Sequence, residues 1–385
     1  MIIYCIAGSL VGIMTGLIPG LHTNNITITL TLVPFIGPEM SLFVISMCVS
    51  QSFVDFIPSL FLGVPETSTF EGVLPGHKMA LKGEAYKAIC LTVFGGLIAI
   101  ITGLMFLPFF IIFINANKEV MPIIVPVVLF FSIGVLILSE KKYKKVLASF
   151  VLFASATQGL FFVDQIFPLI IGYFGLPTVI YSLQKEKFYK KQKKESQFEF
   201  KMAIEGVIGM AGGAIVAIIP GIGSNLAAAI IKTFREKIKT QNYLTLVGSI
   251  NTSNFFFSIP MLFFLSKARN GAMLFLNEKL FLTENLFYLS FIAIIIAAGI
   301  GGSATILISK KAIKIFSKKI INISEILSII LMVFLVFFFN NFIGIIAMSF
   351  SCALGLLAVY WKIKRSTCLG ALIVPVLFFY LFVLI

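Results

Sequence analysis

Residues 8–24 read Gly8-x3-Gly12-x3-Gly16-Leu17-Ile18-Pro19-Gly20-Leu21-His22-Thr23-Asn24. Residues 209–225 read Gly209-x3-Gly213-x3-Ala217-Ile218-Ile219-Pro220-Gly221-Ile222-Gly223-Ser224-Asn225. The two Pro-Gly steps lie 220 − 19 = 201 residues apart, and the small-residue ladder and the asparagine keep that offset. A second block repeats as well. Ser52-Phe53-Val54-Asp55-Phe56-Ile57-Pro58 aligns with Asn254-Phe255-Phe256-Phe257-Ser258-Ile259-Pro260 at 254 − 52 = 202, each a polar cluster running into Ile-Pro. Two matched blocks in the same order predict a chain built twice from one unit. Apolar segments broken at Pro-Gly in corresponding places of two halves are also the pattern of a secondary transporter's binding site.

The apolar runs place those halves in a membrane. Hydrophobic residues make up 59% of the 385 residues, charged residues 12%, and the mean hydropathy is +1.06. Soluble domains carry about 25% charged residues. Runs such as 88–114, 121–138, 146–163, 286–302 and 342–361 approach or exceed the ~20 residues that cross a hydrocarbon core as a helix. The expectation is an all-α polytopic protein of the cell membrane, multi-pass, with membrane lipid as its surroundings. Residues 1–5 lack a basic leader, which predicts a retained first span rather than a cleaved signal.

Seven segments fall in each half: 2–18, 24–35, 41–62, 88–114, 121–138, 146–163 and 166–183, then 202–219, 225–233, 243–265, 286–308, 326–339, 342–361 and 367–385. Domain limits follow at 1–183 and 202–385, joined by a basic linker at 184–201. Seven is odd, so two halves of one fold must be inverted relative to each other. The segments after each Pro-Gly stand open as full spans or re-entrant turns. The net charge of +14 is concentrated in short clusters at 141–145, 185–201, 232–239, 310–319 and 362–365. Clusters between apolar segments mark the cytoplasmic side. Nucleic acid is not the expected partner.

Proline removes a backbone donor and glycine tolerates any turn, so each Pro-Gly ends one helix. Thr23 and Ser224 stand where a following helix is capped. The start of that helix offers unpaired N–H groups and about half a positive charge. Such an end suits an anion, and a carboxylate in particular. Pro19, Gly20, Thr23, Asn24 and Asn25 from one half, and Pro220, Gly221, Ser224, Asn225, Ser253 and Asn254 from the other, form the expected substrate cradle. The plainer alternative is a pair of kinks whose Ser, Thr and Asn side chains satisfy freed backbone groups. The Gly8/Gly12/Gly16 ladder is expected to serve helix packing.

Ser52, Asp55 and Asn251 are the expected ion-coupling residues. A charge at bilayer depth costs about 2.5–3.5 kcal/mol on insertion scales, so Asp55 requires a function or a position near the membrane edge. The stretch Gly63 to Ala80 is rich in turn formers and is expected to be a loop. Pro65, Glu66 and Thr67 would serve as a gate there, with His77 and Lys78 in solvent. No catalytic residues and no metal site are expected. The two histidines are His22 and His77, and the five cysteines show no Cys-x-x-Cys spacing. No cofactor is expected beyond Na⁺ or H⁺ as a coupling ion. A membrane channel or a membrane-embedded enzyme remains the alternative function.

These blocks resemble the large permease subunit of the tripartite tricarboxylate transporter family, in a shorter, archaeal-type form. That family carries a Gly-rich, Pro-Gly-centred motif in each half. It also has an Asp-Gly-Tyr-Pro-Met-Ala element, here similar to Glu71-Gly72-Val73-Leu74-Pro75-Gly76-His77-Lys78-Met79-Ala80, with the acid changed and three residues inserted. Its second polar block looks like Ser249-Ile250-Asn251-Thr252-Ser253-Asn254 without the following Pro-Glu. The later Gly-Ile-Pro-Gly-Ser has no clear counterpart. The resemblance implies uptake of a di- or tricarboxylate, with a small membrane subunit and an extracytoplasmic solute-binding protein as partners.

Overall fold

The computed structural model describes residues 1–18, 37–62, 70–141, 143–184, 191–194, 199–219, 223–235, 237–268, 271–279, 283–315 and 318–384. Among them no strand occurs, and seven helices are long and apolar enough to cross a membrane. A chain in hydrocarbon must satisfy its backbone groups internally, which leaves helices as the outcome for such a sequence.

In the first half the helices are α1 (Ile2–Leu17), α2 (Pro38–Val54), α3 (Phe56–Leu62), α4 (Phe70–Leu81), α5 (Ala85–Ala116), α6 (Met121–Leu138) and α7 (Lys144–Phe161). They are followed by α8 (Ile166–Ile170), a π-turn (Ile171–Gly175) and α9 (Leu176–Leu183). The second half holds α10 (Phe200–Ile218), α11 (Ser224–Phe234), α12 (Thr240–Leu265), α13 (Gly271–Lys279), α14 (Glu284–Ile315) and α15 (Lys318–Tyr360). A 3-10 turn (Arg365–Leu369) then leads to α16 (Gly370–Leu384). α15 is interrupted at Asn341, whose φ of 54° and ψ of −156° are not helical. That break falls between the two expected segments 326–339 and 342–361.

Some helices of the two halves correspond in length and packing. α5 and α14 are each 32 residues long. α1 packs on α2 as α10 packs on α12. The long helices are then exchanged: α5 packs chiefly on α12 of the other half, and α14 chiefly on α2. Glycines permit these approaches. A Cβ on Gly95 would lie 2.0 Å from the Thr245 carbonyl oxygen, and one on Gly248 would lie 2.3 Å from that of Thr92. The expected packing role of the first ladder holds, since a Cβ on Gly8 or Gly12 would meet the Phe43 or Met47 carbonyl oxygen within 2.2 Å. α2 and α12 therefore form a buried centre. The outer helices turn apolar stripes outward, such as Ile101, Met105, Phe109 and Ile112 on α5. Exposed side chains of that kind, three and four apart, face lipid.

One expectation is corrected. The stretch from Gly63 to Ala80 is not all loop, because its second part is the helix α4 despite Gly72, Pro75 and Gly76. His77 is not in solvent. It is 4% exposed, and its Nδ1 lies 3.1 Å from the Leu60 carbonyl oxygen. The last carbonyls of a helix lack intrahelical donors, and α3 ends two residues later, so the imidazole meets a backbone group that needs a partner. Lys78 is exposed, as expected.

Candidate substrate and ion site

The second Pro-Gly step breaks the chain as its chemistry requires. α10 ends at Ile218, Ile219 is extended at φ −99° and ψ 111°, and α11 opens at Ser224 after Gly223. Ile18, at the matching place in the first half, is extended at φ −101° and ψ 106° after the end of α1. The same local geometry thus follows from the same residues at an offset of 201. Pro19, Gly20, Thr23, Asn24 and Asn25 lie outside the described residues, as do Pro220, Gly221 and the expected gate at Pro65, Glu66 and Thr67.

Length decides what α11 can be. Its 11 residues rise about 16 Å, roughly half of a ~30 Å hydrocarbon core. The helix is too short to span the core on its own. Its far end is anchored by Arg235, whose Nη1 donates to the Glu205 carboxylate at 2.8 Å. Glu205 is buried on α10, so this pair ties the open end of the hairpin together. From Glu205 to the end of α10 is 13 residues, about 20 Å of helix. The start of α11 therefore sits about 16 Å along the helix from the end that carries the anchoring pair.

The start of α11 is polar and enclosed. Ser224 is its first helical residue, one position later than a cap, with Gly223 at the cap. Ser224 is 5% exposed and Asn225 is 1% exposed. Asn254, half-buried on α12, donates through Nδ2 to the Ser224 hydroxyl at 3.4 Å. Ser253 faces α10 instead: its hydroxyl donates to Ser249 O at 2.7 Å and approaches Gly209 O at 3.4 Å. Of the expected substrate residues in the second half, Ser224, Asn225 and Asn254 are brought together, while Ser253 sits on the α10·α12 seam.

The ion-coupling candidates lie where the two central helices meet. Asn251 donates through Nδ2 to Ser52 O at 3.2 Å, and the hydroxyls of Ser52 and Thr252 are 3.5 Å apart. Gln51 accepts from the Thr15 hydroxyl at 3.4 Å, joining α1 to the same cluster. Asp55 stands three residues beyond Ser52, at the step between α2 and α3, and is 5% exposed. Pro58 explains the step, since it cannot donate to the carbonyl four residues before it. A nearly dry set of hydroxyl, amide and carboxylate oxygens is the donor chemistry of Na⁺ or of a proton carrier. Among the described residues there is no group of three or more His, Cys, Asp or Glu able to hold a metal ion.

Two participants escaped the sequence reading. Thr15 was legible in principle, because Cys5, Gly8, Ser9, Gly12, Thr15 and Gly16 form the buried stripe of α1 at helical spacing. Glu205 was legible only as a lone acid in an apolar run, with nothing in the sequence naming Arg235 as its partner.

Comparison with known proteins agrees with this architecture. No solved structure matches the chain. An uncharacterised protein of Methanocaldococcus jannaschii is 28% identical over 402 residues, an alignment covering 99% of each chain. The model of the Tripartite tricarboxylate transporter TctA family matches residues 2–370. This multi-pass membrane protein belongs to the tripartite tricarboxylate transporter TctA family.

Proposed function

We propose that the chain is the permease of a secondary transporter that imports an organic di- or tricarboxylate together with Na⁺ or H⁺. The observation that carries this reading is the start of α11. A helix opens inside the protein with Ser224 and Asn225 buried and Asn254 reaching across to it. The first-half residues Pro19, Gly20, Thr23, Asn24 and Asn25 are its proposed counterpart. Opposed helix starts would present N–H groups and positive dipole ends to both carboxylates of the cargo.

Coupling follows from the charge. Moving one elementary charge through 100 mV is worth about 2.3 kcal/mol, so a dicarboxylate entering a negative interior meets about 4.6 kcal/mol. Two cations cancel that cost, and a third, or an ion gradient, drives accumulation. Ser52, Asn251 and Asp55 are the proposed ion ligands, and Pro65, Glu66 and Thr67 the proposed gate. A small membrane subunit and an extracytoplasmic binding protein are the proposed partners.

The proposed halves are inverted, with a boundary at 184–201. Opposite helix directions support this reading. α5 begins beside the linker, where Gln192 accepts from Ala85 N and donates to Ala80 O, and Lys193 N donates to Gly83 O. α2 thus runs toward the linker end through α3 and α4, whereas its counterpart α12 starts there. Purified protein in proteoliposomes tests the function. Citrate uptake should require an imposed Na⁺ or H⁺ gradient, and uptake that ignores both gradients would exclude coupled transport.

A further inference from the structure

The linker end of the molecule holds a cavity of 620 Å³ that the transport site does not use. It lies between the outer bundle and the α10–α11 hairpin. Lys78 reaches it from α4, Lys232 from α11, and Lys362, Lys364 and Arg365 from the turn between α15 and α16. Tyr181 and Ser366 add hydroxyls, and among the described residues no carboxylate lines it. Of two neighbouring cavities, one shares Lys78 and Lys232 with it and adds Glu84 and Glu199, and the other holds Glu199 and Glu205. Glu140 approaches the walls, where it accepts from the Lys364 backbone N–H.

Three of the cations, Lys364, Arg365 and Lys232, are each held by a neighbouring group. Lys364 Nζ donates to Ser139 O at 3.1 Å, Arg365 Nη1 donates to Phe174 O at 3.3 Å, and Lys232 Nζ lies 4.4 Å over the Tyr243 ring. Like charges gathered from three chain segments repel one another, which favours occupation by an anion. The volume lies within the roughly 300–1,000 Å³ of small-molecule sites. One wall is the last turn of α11, the helix whose first turn carries Ser224 and Asn225. Nine residues, about 14 Å of helix, separate Ser224 from Thr233 in that wall.

We propose that this cavity is a second anion site, separate from the start of α11, which holds a multivalent oxyanion at the linker end of the molecule. A di- or tricarboxylate leaving the hairpin would meet it before reaching bulk solvent. The same chemistry would accept the headgroup of an anionic lipid, and the test distinguishes the two sources.

The test needs no transport. Thr233→Cys places a thiol in the wall, in a chain whose native Cys5, Cys48, Cys90 and Cys368 are buried and whose Cys352 is replaced by serine. The protein is set in phosphatidylcholine nanodiscs and labelled with negatively and positively charged methanethiosulfonates. Clefts of one sign raise local counter-ion concentration by 10- to 10³-fold, so the anionic reagent should react about tenfold faster, relative to a free thiol. Millimolar citrate should slow it. Lys232→Gln, Lys362→Gln and Arg365→Gln together should abolish both the preference and the protection. Should that variant not fold, raising ionic strength on the Thr233→Cys protein must erode the preference, because screening shortens to about 3 Å at 1 M salt. Protection by citrate in neutral lipid assigns the site to a soluble carboxylate; protection given by phosphatidylglycerol alone assigns it to a headgroup. Equal rates for the two reagents, or no protection by either anion, would overturn the proposal.

Discussion

At the scale of single residues, asparagines separate a binding site from a mere kink. A kink needs only backbone partners, which a serine or threonine supplies. Asn225 and Asn254 add amide donors beside a helix start whose first N–H groups have no intrahelical acceptor. Replacing Asn225 with Leu removes a donor while keeping a similar volume. Citrate uptake in proteoliposomes should fall below detection while the protein keeps its elution profile and melting temperature within a few degrees. Normal uptake would return the hairpin to a structural role. Asp55 is tested differently, because its charge rather than its shape is at issue. Asp55→Asn should leave citrate binding in place and change the dependence of uptake on the Na⁺ or pH gradient. An unaltered gradient dependence would remove it from coupling.

At the scale of elements, closeness of helices is set by what is missing from glycine. A Cβ on Gly213 would lie 1.9 Å from Ser253 Oγ and 2.7 Å from Ile250 O, and one on Gly95 would lie 2.0 Å from Thr245 O. The obstacles at Gly95 are backbone atoms, which cannot rotate away. Gly95→Val should therefore destabilise the protein by about 1–3 kcal/mol, the usual range for overpacking, and lower its melting temperature in detergent. Gly134 has nothing within 4 Å of its would-be Cβ, so Gly134→Ala should leave melting unchanged or raise it. The same elements show what could be read in advance. Long helices were legible because an apolar run in lipid has one backbone solution, and the break in α15 was legible from Asn340-Asn341 between phenylalanine runs. The short helices α4 and α13 were not. Gly72, Pro75 and Gly76 are turn formers by local preference, but enclosure by α3 and α5 overrides that preference, as Leu60 packing over Gly76 illustrates. Pairing across the halves was also hidden, since a 201-residue offset says that two elements are alike without saying that each packs on the other's partner.

At the scale of the whole molecule, basic clusters from 141–145, 191–194 and 362–365 gather at one end. Lys144 Nζ donates to Lys362 O, Tyr360 donates to Gln184, and Lys193 bonds to Gly83, so clusters far apart in sequence share one surface. Lysine-rich ends remain on the cytoplasmic side during insertion, which predicts that this surface faces inward. α5 supplies the ruler for testing that orientation. Its 32 residues extend about 48 Å, longer than the ~40–45 Å of a complete bilayer with headgroups, so its two ends must lie on opposite sides. Lys193 is exposed beside the start of α5, and Lys118 is exposed just past its end. In right-side-out vesicles an impermeant maleimide should label Lys118→Cys, and should reach Lys193→Cys only after the membrane is permeabilised. Inside-out vesicles should give the reverse. If both positions react from one side, α5 does not cross, the parity of the halves fails, and the proposed pair of opposed helix starts loses its basis. Reversed labelling would keep the fold and turn the cationic cavity toward the exterior, making it a place of capture rather than release.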